Sequence, residues 1–277
     1  MFSQVENSMD LSFIASTQGE MTLTFAPQWK FPFLQGESIF TKDNNIALNF
    51  TACISPITAG VTADTVLTVF PFLLFTAGAR GNIGWNYDIF GMSLVGLGLN
   101  RRINIDDPNE GVIGNGLDGF AWDAHIGKTL QFDFAAIFPG DWNHIVIQIY
   151  NEIRYFAYTN AENDDLWYYI MDDGLNLNSF QHQFAGFFGY AMPIFINLLG
   201  FQFAGTLPLY NFSEGNNVRE TGYSLTTAFV TNFAINEKLS IMSLVRFNNS
   251  LQYPITRTYE RKWKFNRVEF IATWKLK

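Results

Sequence analysis

The residues best placed for chemistry in this sequence are Asp123 and His125, in the run Asp123-Ala124-His125. Residues two apart share a face of an extended chain, so carboxylate and imidazole would stand side by side on one wall. Such a pair can orient the imidazole to take a proton from water, provided a second acid converges on that water. Asp106-Asp107 cannot both serve, because adjacent residues of a strand point to opposite faces. The only histidines are His125, His144 and His182, and none forms a His–x–Ser pairing that would activate a serine nucleophile. Three scattered histidines and the lone Cys53 supply no ligand cluster, so neither metal nor cofactor is expected. Asp123 and His125 remain the catalytic candidates, with a purely structural polar network as the alternative.

Other charges gain meaning when the chain is read by twos. Arg80, Asp133, Glu152, Arg154, Arg246, Arg267 and Glu269 all fall on the phase opposite to neighbouring apolar side chains. Side chains of both signs on that phase would line an enclosed interior and pair across it. The alternation that places them is clearest from Thr129 to Tyr158. Leu130, Phe132, Phe134, Ala136 and Phe138 take one face, and Thr129, Gln131 and Asp133 the other. Pro139-Gly140-Asp141 breaks the run; Ile145, Ile147, Ile149, Ile153 and Tyr155 then oppose His144, Gln148, Glu152 and Arg154. A period of two is the strand period, and a Pro-Gly-Asp break between two such runs marks a hairpin. Each run reaches the roughly 9–11 residues that a tilted strand needs to cross a bilayer.

Composition points the same way. Of 277 residues only 15% are charged, against about 25% in soluble domains. Hydrophobic residues make up 48% and aromatic ones 17%, yet the mean hydropathy is only +0.05. Apolar residues are therefore interleaved with polar ones, as in a barrel, rather than massed in runs of about 20 as in membrane helices. The stretch from Gly174 to Ser213 has no Asp, Glu, Lys or Arg and would admit two apolar helices. Gly186, Gly189, Pro193, Gly200, Gly205 and Pro208 argue against them. A soluble β-sandwich would use shorter strands, of about 5–6 residues. One cysteine excludes an internal disulfide framework. A net charge of −8 without a basic run argues against nucleic acid as a partner. MFSQVENSMD is polar and acidic, unlike a signal peptide, and reads as the start of a mature chain with an added Met1.

In order along the chain, residues 1–18 read as a periplasmic lead-in and 19–277 as a single barrel domain. Residues 46–69 read as one strand with a bulge, because the apolar phase slips by one beside Pro56. Short connections fall near 70–72, 139–142, 192–194 and 236–238; long polar ones fall at 34–44, 101–116, 159–178, 210–221 and 250–262. Alternating short periplasmic turns and long outer loops give a transmembrane antiparallel up-and-down β-barrel of about ten strands, with both termini periplasmic. A strand returning over 90–100 would raise the count to about twelve. Trp142 and Trp274 would then lie near the periplasmic headgroups, and Trp29, Trp122 and Trp263 near the outer ones. The outer loops carry Asp106, Asp107, Glu110, Glu162, Asp164, Asp165, Asp172 and Asp173, at no calcium-loop spacing.

These hairpins resemble those of bacterial outer-membrane β-barrel proteins. The closing VEFIATWKLK is similar to the C-terminal insertion signal of that class. Phe270, Ala272, Trp274 and Leu276 hold its alternate positions, although Lys277 stands where the class ends on an aromatic residue. FPFLLFTAGARGNIGW and LQFDFAAIFPGDWNH together resemble a spirochaete, particularly treponemal, outer-membrane family. That resemblance implies a barrel in the outer membrane, with lipid and the insertion machinery as partners, and brings no catalytic residues. The Asp123–His125 pair resembles half of the omptin protease site; the acid pair of its other half is missing.

The expected function is that of a monomeric integral outer-membrane barrel with exposed acidic loops, in a structural or surface-interaction role. Lumen charges allow an alternative, a narrow channel or small-solute transporter. Asp123 and His125 allow another, a hydrolase of omptin type, although nothing in the sequence requires an enzyme. Barrels of about eight strands are filled by side chains and water-filled porins need about 16, so about ten strands favour a filled interior.

Overall fold

The computed structural model describes residues 5–38, 40–89, 92–100, 112–113, 117, 119–162, 165, 167–170, 174–209, 223–249, 251–252 and 260–277. Twelve antiparallel strands close into one barrel. The first six are β1 (Glu6–Ser16), β2 (Met21–Pro32), β3 (Asn45–Ile54), β4 (Thr58–Phe70), β5 (Leu73–Gly84) and β6 (Ala121–Asp133). The second six are β7 (His144–Tyr158), β8 (Ser179–Ala191), β9 (Ile196–Pro208), β10 (Ser224–Ala234), β11 (Leu239–Asn248) and β12 (Lys264–Lys275). Each strand pairs with its neighbours in the chain, and β1 pairs with β12 to close the ring. We call the end that carries both termini the base and the opposite end the rim.

The period of two turns a soluble protein inside out. Val61, Ile126, Phe188 and Phe229 point outward and are each more than half exposed, whereas inward-pointing Asp123, His125 and Glu152 are buried. Lys128 on β6 is the one Asp, Glu, Lys or Arg on the outward phase among the described strands, and Asn151 of β7 lies opposite it.

Twelve strands were expected only as an alternative, and they arise by a different route. Residues 6–16, taken as a lead-in, form β1: Met9, Leu11, Phe13 and Ala15 alternate with Ser8, Asp10 and Ser12 and pair with both β2 and β12. The slip beside Pro56 is a hairpin, not a bulge. Ser55 N–H donates to Thr58 O at 2.8 Å, and Thr58 N–H donates to Ser55 Oγ at 2.9 Å, dividing 46–69 between β3 and β4. Trp85 donates from Nε1 to Pro56 O at 2.8 Å and braces this turn. Residues 92–100 add nothing to the barrel. Met92–Val95 pairs with Asn86–Ile89, and Leu97–Asn100 joins a four-stranded sheet with Val112–Ile113, Trp167–Tyr169 and Gly174–Asn176.

The extra strands move the early connections. Residues 33–44 lie at the base with the turn at 71–72, where the Phe40 and Phe72 rings are 6.4 Å apart. Long and short connections therefore do not alternate strictly, and Trp29 lies towards the base rather than the opposite end. The charge-free stretch forms β8 and β9 around Pro193, and no helix among the described residues is long and apolar enough to cross a membrane. Of the loop acids, Asp106, Asp107, Glu110, Asp164, Asp172 and Asp173 lie outside the described residues; Asp165 accepts the Glu162 N–H at 3.0 Å.

Candidate functional site in the lumen

The inner wall of β4–β8 carries a continuous charged ladder. Asp123 and His125, two apart on β6, both point inward; Asp123 is 0% exposed, and its Oδ1 lies 2.9 Å from His125 Nδ1. Asp123 Oδ2 faces Arg80 Nε at 3.3 Å, an ion pair without hydrogen-bond alignment. His125 Nε2 lies 3.1 Å from Asp64 Oδ1, two strands away. The strand between them contributes Gly78, which pairs in register with both Asp64 and His125 and leaves the gap their contact spans. Each ring nitrogen of His125 thus faces a carboxylate.

The ladder continues across β7 and β8. Arg154, opposite His125 in register, donates from Nε and Nη2 to Gln181 Oε1 at 2.9 and 2.8 Å. Tyr150 Oη donates to Glu152 Oε2, and the Tyr150 ring lies over Gly127. With its amide oriented to suit these neighbours, Gln183 donates to Glu152 Oε1 at 3.2 Å and accepts from Arg154 Nη2 at 2.9 Å. Buried charges are tolerable only when paired in this way.

A second cluster spans the closing seam. Arg246 of β11 donates to Glu269 Oε1 at 3.2 Å, and Arg267 Nε lies 3.6 Å from Glu269 Oε2. Arg267 Nη1 also donates to Glu20 Oε1 at 2.6 Å, linking β12 to the turn between β1 and β2. Asp133 stands apart at the base, where its Oδ2 is 2.7 Å from His144 Nδ1. His182 points to the outer wall, with Nδ1 2.9 Å from Tyr223 Oη.

At the rim, the four-stranded loop sheet packs onto the inner wall. Trp167, 0% exposed, lies against the inward rings of Phe156 and Tyr158, with centroids at 4.7 and 5.8 Å. Leu97 joins the same cluster, and Gly84 has no side chain because Leu97 Cβ occupies that space. The Arg154 guanidinium stacks 4.5 Å from the Phe156 ring centroid, so Phe156 stands between the loop sheet and the charged ladder.

Towards the base the wall of β8–β12 turns apolar. Ala228, Val230 and Leu244 are buried together, with Phe187, Met242 and Ile271 packed against them. Above this floor is an open recess lined by Gln202, Ala204, Thr226, Thr227, Ala228 and Arg246.

Sequence reasoning singled out nine residues; the structure places Arg80, Asp123, His125, Glu152 and Arg154 along the β4–β8 ladder, Arg246, Arg267 and Glu269 at the closing seam, and Asp133 at the base beside His144. That reasoning missed Asp64, Glu20, Gln181 and Trp167. Asp64 shares its phase with Thr62 and Val66 and was legible by parity alone; its partnership with His125 needs the register.

No family model matches the sequence, and no curated protein matches it. Among solved structures it is similar to the NanC porin, with a TM-score of 0.45, 7% identity, and coverage of 97% of this chain and 99% of that one. For the KdgM porin the TM-score is 0.42, with 6% identity over 96% of this chain and 98% of that one. For OmpT of Vibrio cholerae, in its trimer form, it is 0.39, with 6% identity over 98% of this chain and 99% of that one. The likeness is one of overall barrel form.

Proposed function

We propose that this chain is an integral outer-membrane β-barrel, its base in the periplasm and its rim outside, whose lumen is closed by its own loops. Its role on this reading is structural or surface-interacting, as a monomer held by lipid after delivery by the insertion machinery. Support for the membrane comes from the apolar outer wall, since exposed Phe, Ile and Val would be costly in water. The two stretches around Arg80 and Asp133 further suggest a spirochaete family. The observation that carries the closed state is Trp167, fully buried on Phe156 and Tyr158 at the mouth.

Planar-bilayer recording of the refolded protein tests this, with insertion checked by heat-modifiable gel mobility. The intact barrel should be silent, and Trp167→Ala, by unseating the loop sheet, should produce discrete steps. Steady steps of equal size from both proteins would replace this reading by the narrow-channel one. The paired charges and the recess beside Arg246 favour that second reading, under which Arg154→Gln or Arg267→Gln should shift ion selectivity. The hydrolase reading finds less support. Both ring nitrogens of His125 face carboxylates, so neither is open to a water.

A further inference from the structure

The outer wall carries one polar spot that the barrel itself does not use. Lys128 of β6 is exposed there and Asn151 of β7 is half-buried beside it, the two paired in register on the outward phase. Among the described residues neither side chain has a hydrogen-bond or ion partner. On β6, Ala124 and Ile126 lie outward above Lys128, and Leu130 and Phe132 below it. An ionisable side chain at such a depth is costly, and it is commonly retained where another polar or charged group pairs with it.

Towards the rim from this spot the wall is hollowed. One rung crosses five strands in register as Phe50, Ala63, Ala79, Ala124 and Tyr155. The three alanines are exposed, and a Cβ added to Gly81, on the next rung up, would meet nothing within 4 Å. The banks of this trough are aromatic. Trp29 stands edge-on to Phe50 at 5.7 Å, and Trp122 and Phe180 flank Tyr155 at 5.6 and 5.1 Å. At about 4.8 Å between strands, the two banks are about 19 Å apart along the wall, which admits a helix of about 10–12 Å between the rings.

The unpaired charge decides what fits. Lipid phosphates lie at the surfaces of a core about 30 Å thick, out of reach of a lysine near the middle of β6. A second copy brings no acid, because the outward phase of the described barrel strands holds no Asp or Glu. We propose that the trough seats a membrane-crossing helix of another protein, one that carries a single Asp or Glu at mid-depth. Its carboxylate pairs with Lys128 Nζ and accepts from Asn151 Nδ2, while one face of the helix lies on the alanine floor. This docking rests on the lipid-facing outer wall proposed for the barrel.

The test uses the full chain refolded into phosphatidylcholine vesicles and a synthetic helix with a Leu/Ala core of about 20 residues. The peptide carries a dansyl group at one end, no tryptophan, and Glu, Gln or Leu at its centre. Energy transfer from the barrel's tryptophans reports association. The Glu peptide should associate about tenfold more tightly than the Leu peptide, with the Gln peptide between them. Lys128→Met should abolish that preference without loss of folding, and Asn151→Leu should weaken the Glu peptide several-fold. Ala79→Phe fills the trough from another strand without touching either polar group, and should weaken all three peptides. A Glu peptide that associates no better than the Leu peptide, or a preference that survives Lys128→Met, overturns the proposal. Self-association of the barrel that disappears with Lys128→Met overturns it too, since the occupant is then a second copy. Heat-modifiable mobility reads insertion separately: a barrel that stays outside the vesicles overturns the membrane reading, whereas loss of peptide preference in an inserted barrel overturns the docking alone.

Discussion

Gly78 shows how far a single absent side chain can organise this lumen. A Cβ at that position would lie 2.0 Å from Asp64 Oδ1 and 2.9 Å from His125 Nε2. Only a glycine lets β4 and β6 touch across the strand between them. Gly78→Ala should therefore part Asp64 from His125 and cost about 1–3 kcal/mol as overpacking. A lower urea midpoint for the folded gel band would register this; an unchanged midpoint would mean that the contact holds nothing. At this scale the sequence was informative wherever parity suffices. Asp123 and His125 share a face because they are two apart, and nothing more is needed. The partnerships of Asp64 and Glu20 were out of reach because they come from register and from a turn, which alternation does not specify.

Among the strands, β1 matters most for closure. It pairs with β2 on one side and β12 on the other, and Ser12 Oγ lies 2.9 Å from Thr273 Oγ1 across that seam. Deleting residues 6–16 should leave β2 and β12 as two open edges, which a barrel in lipid cannot tolerate. The shortened chain is expected to lose heat-modifiable mobility altogether; if it kept it, β2 and β12 would have paired directly. Long strands with clean alternation, such as β6 and β7, were legible from sequence. The first strand was not, because Ile14 points inward among polar residues and blurs its pattern. The hairpin at 55–57 was misread for a different reason. Its short connection shifts the outward phase from Ile54 to Ala59, the same change of parity that a bulge would make. The loop sheet leaves no such signature, since two- to four-residue strands far apart in sequence carry too little periodicity to read.

For the molecule as a whole, the outer wall must match its solvent, and among the described barrel strands Lys128 is the one charged residue set against that rule. It stands between Ile126 and Leu130, near the middle of β6, with Asn151 across from it. A lysine facing lipid at the bilayer midplane costs roughly 2–4 kcal/mol. Lys128→Leu should raise the stability of the inserted barrel by an amount approaching that figure, measured as the shift in the unfolding midpoint in lipid vesicles. No gain would indicate that the wall at β6 and β7 does not face hydrocarbon. The rim has an asymmetry of its own. Its first two connections, 17–20 and 55–57, are tight turns, whereas those following β5, β7, β9 and β11 are long. With the rim outside the cell, almost all of the chain's antigenic territory would then derive from residues after Gly84. A protease or antibody acting on intact cells would meet those segments, while the strands before them passed unseen.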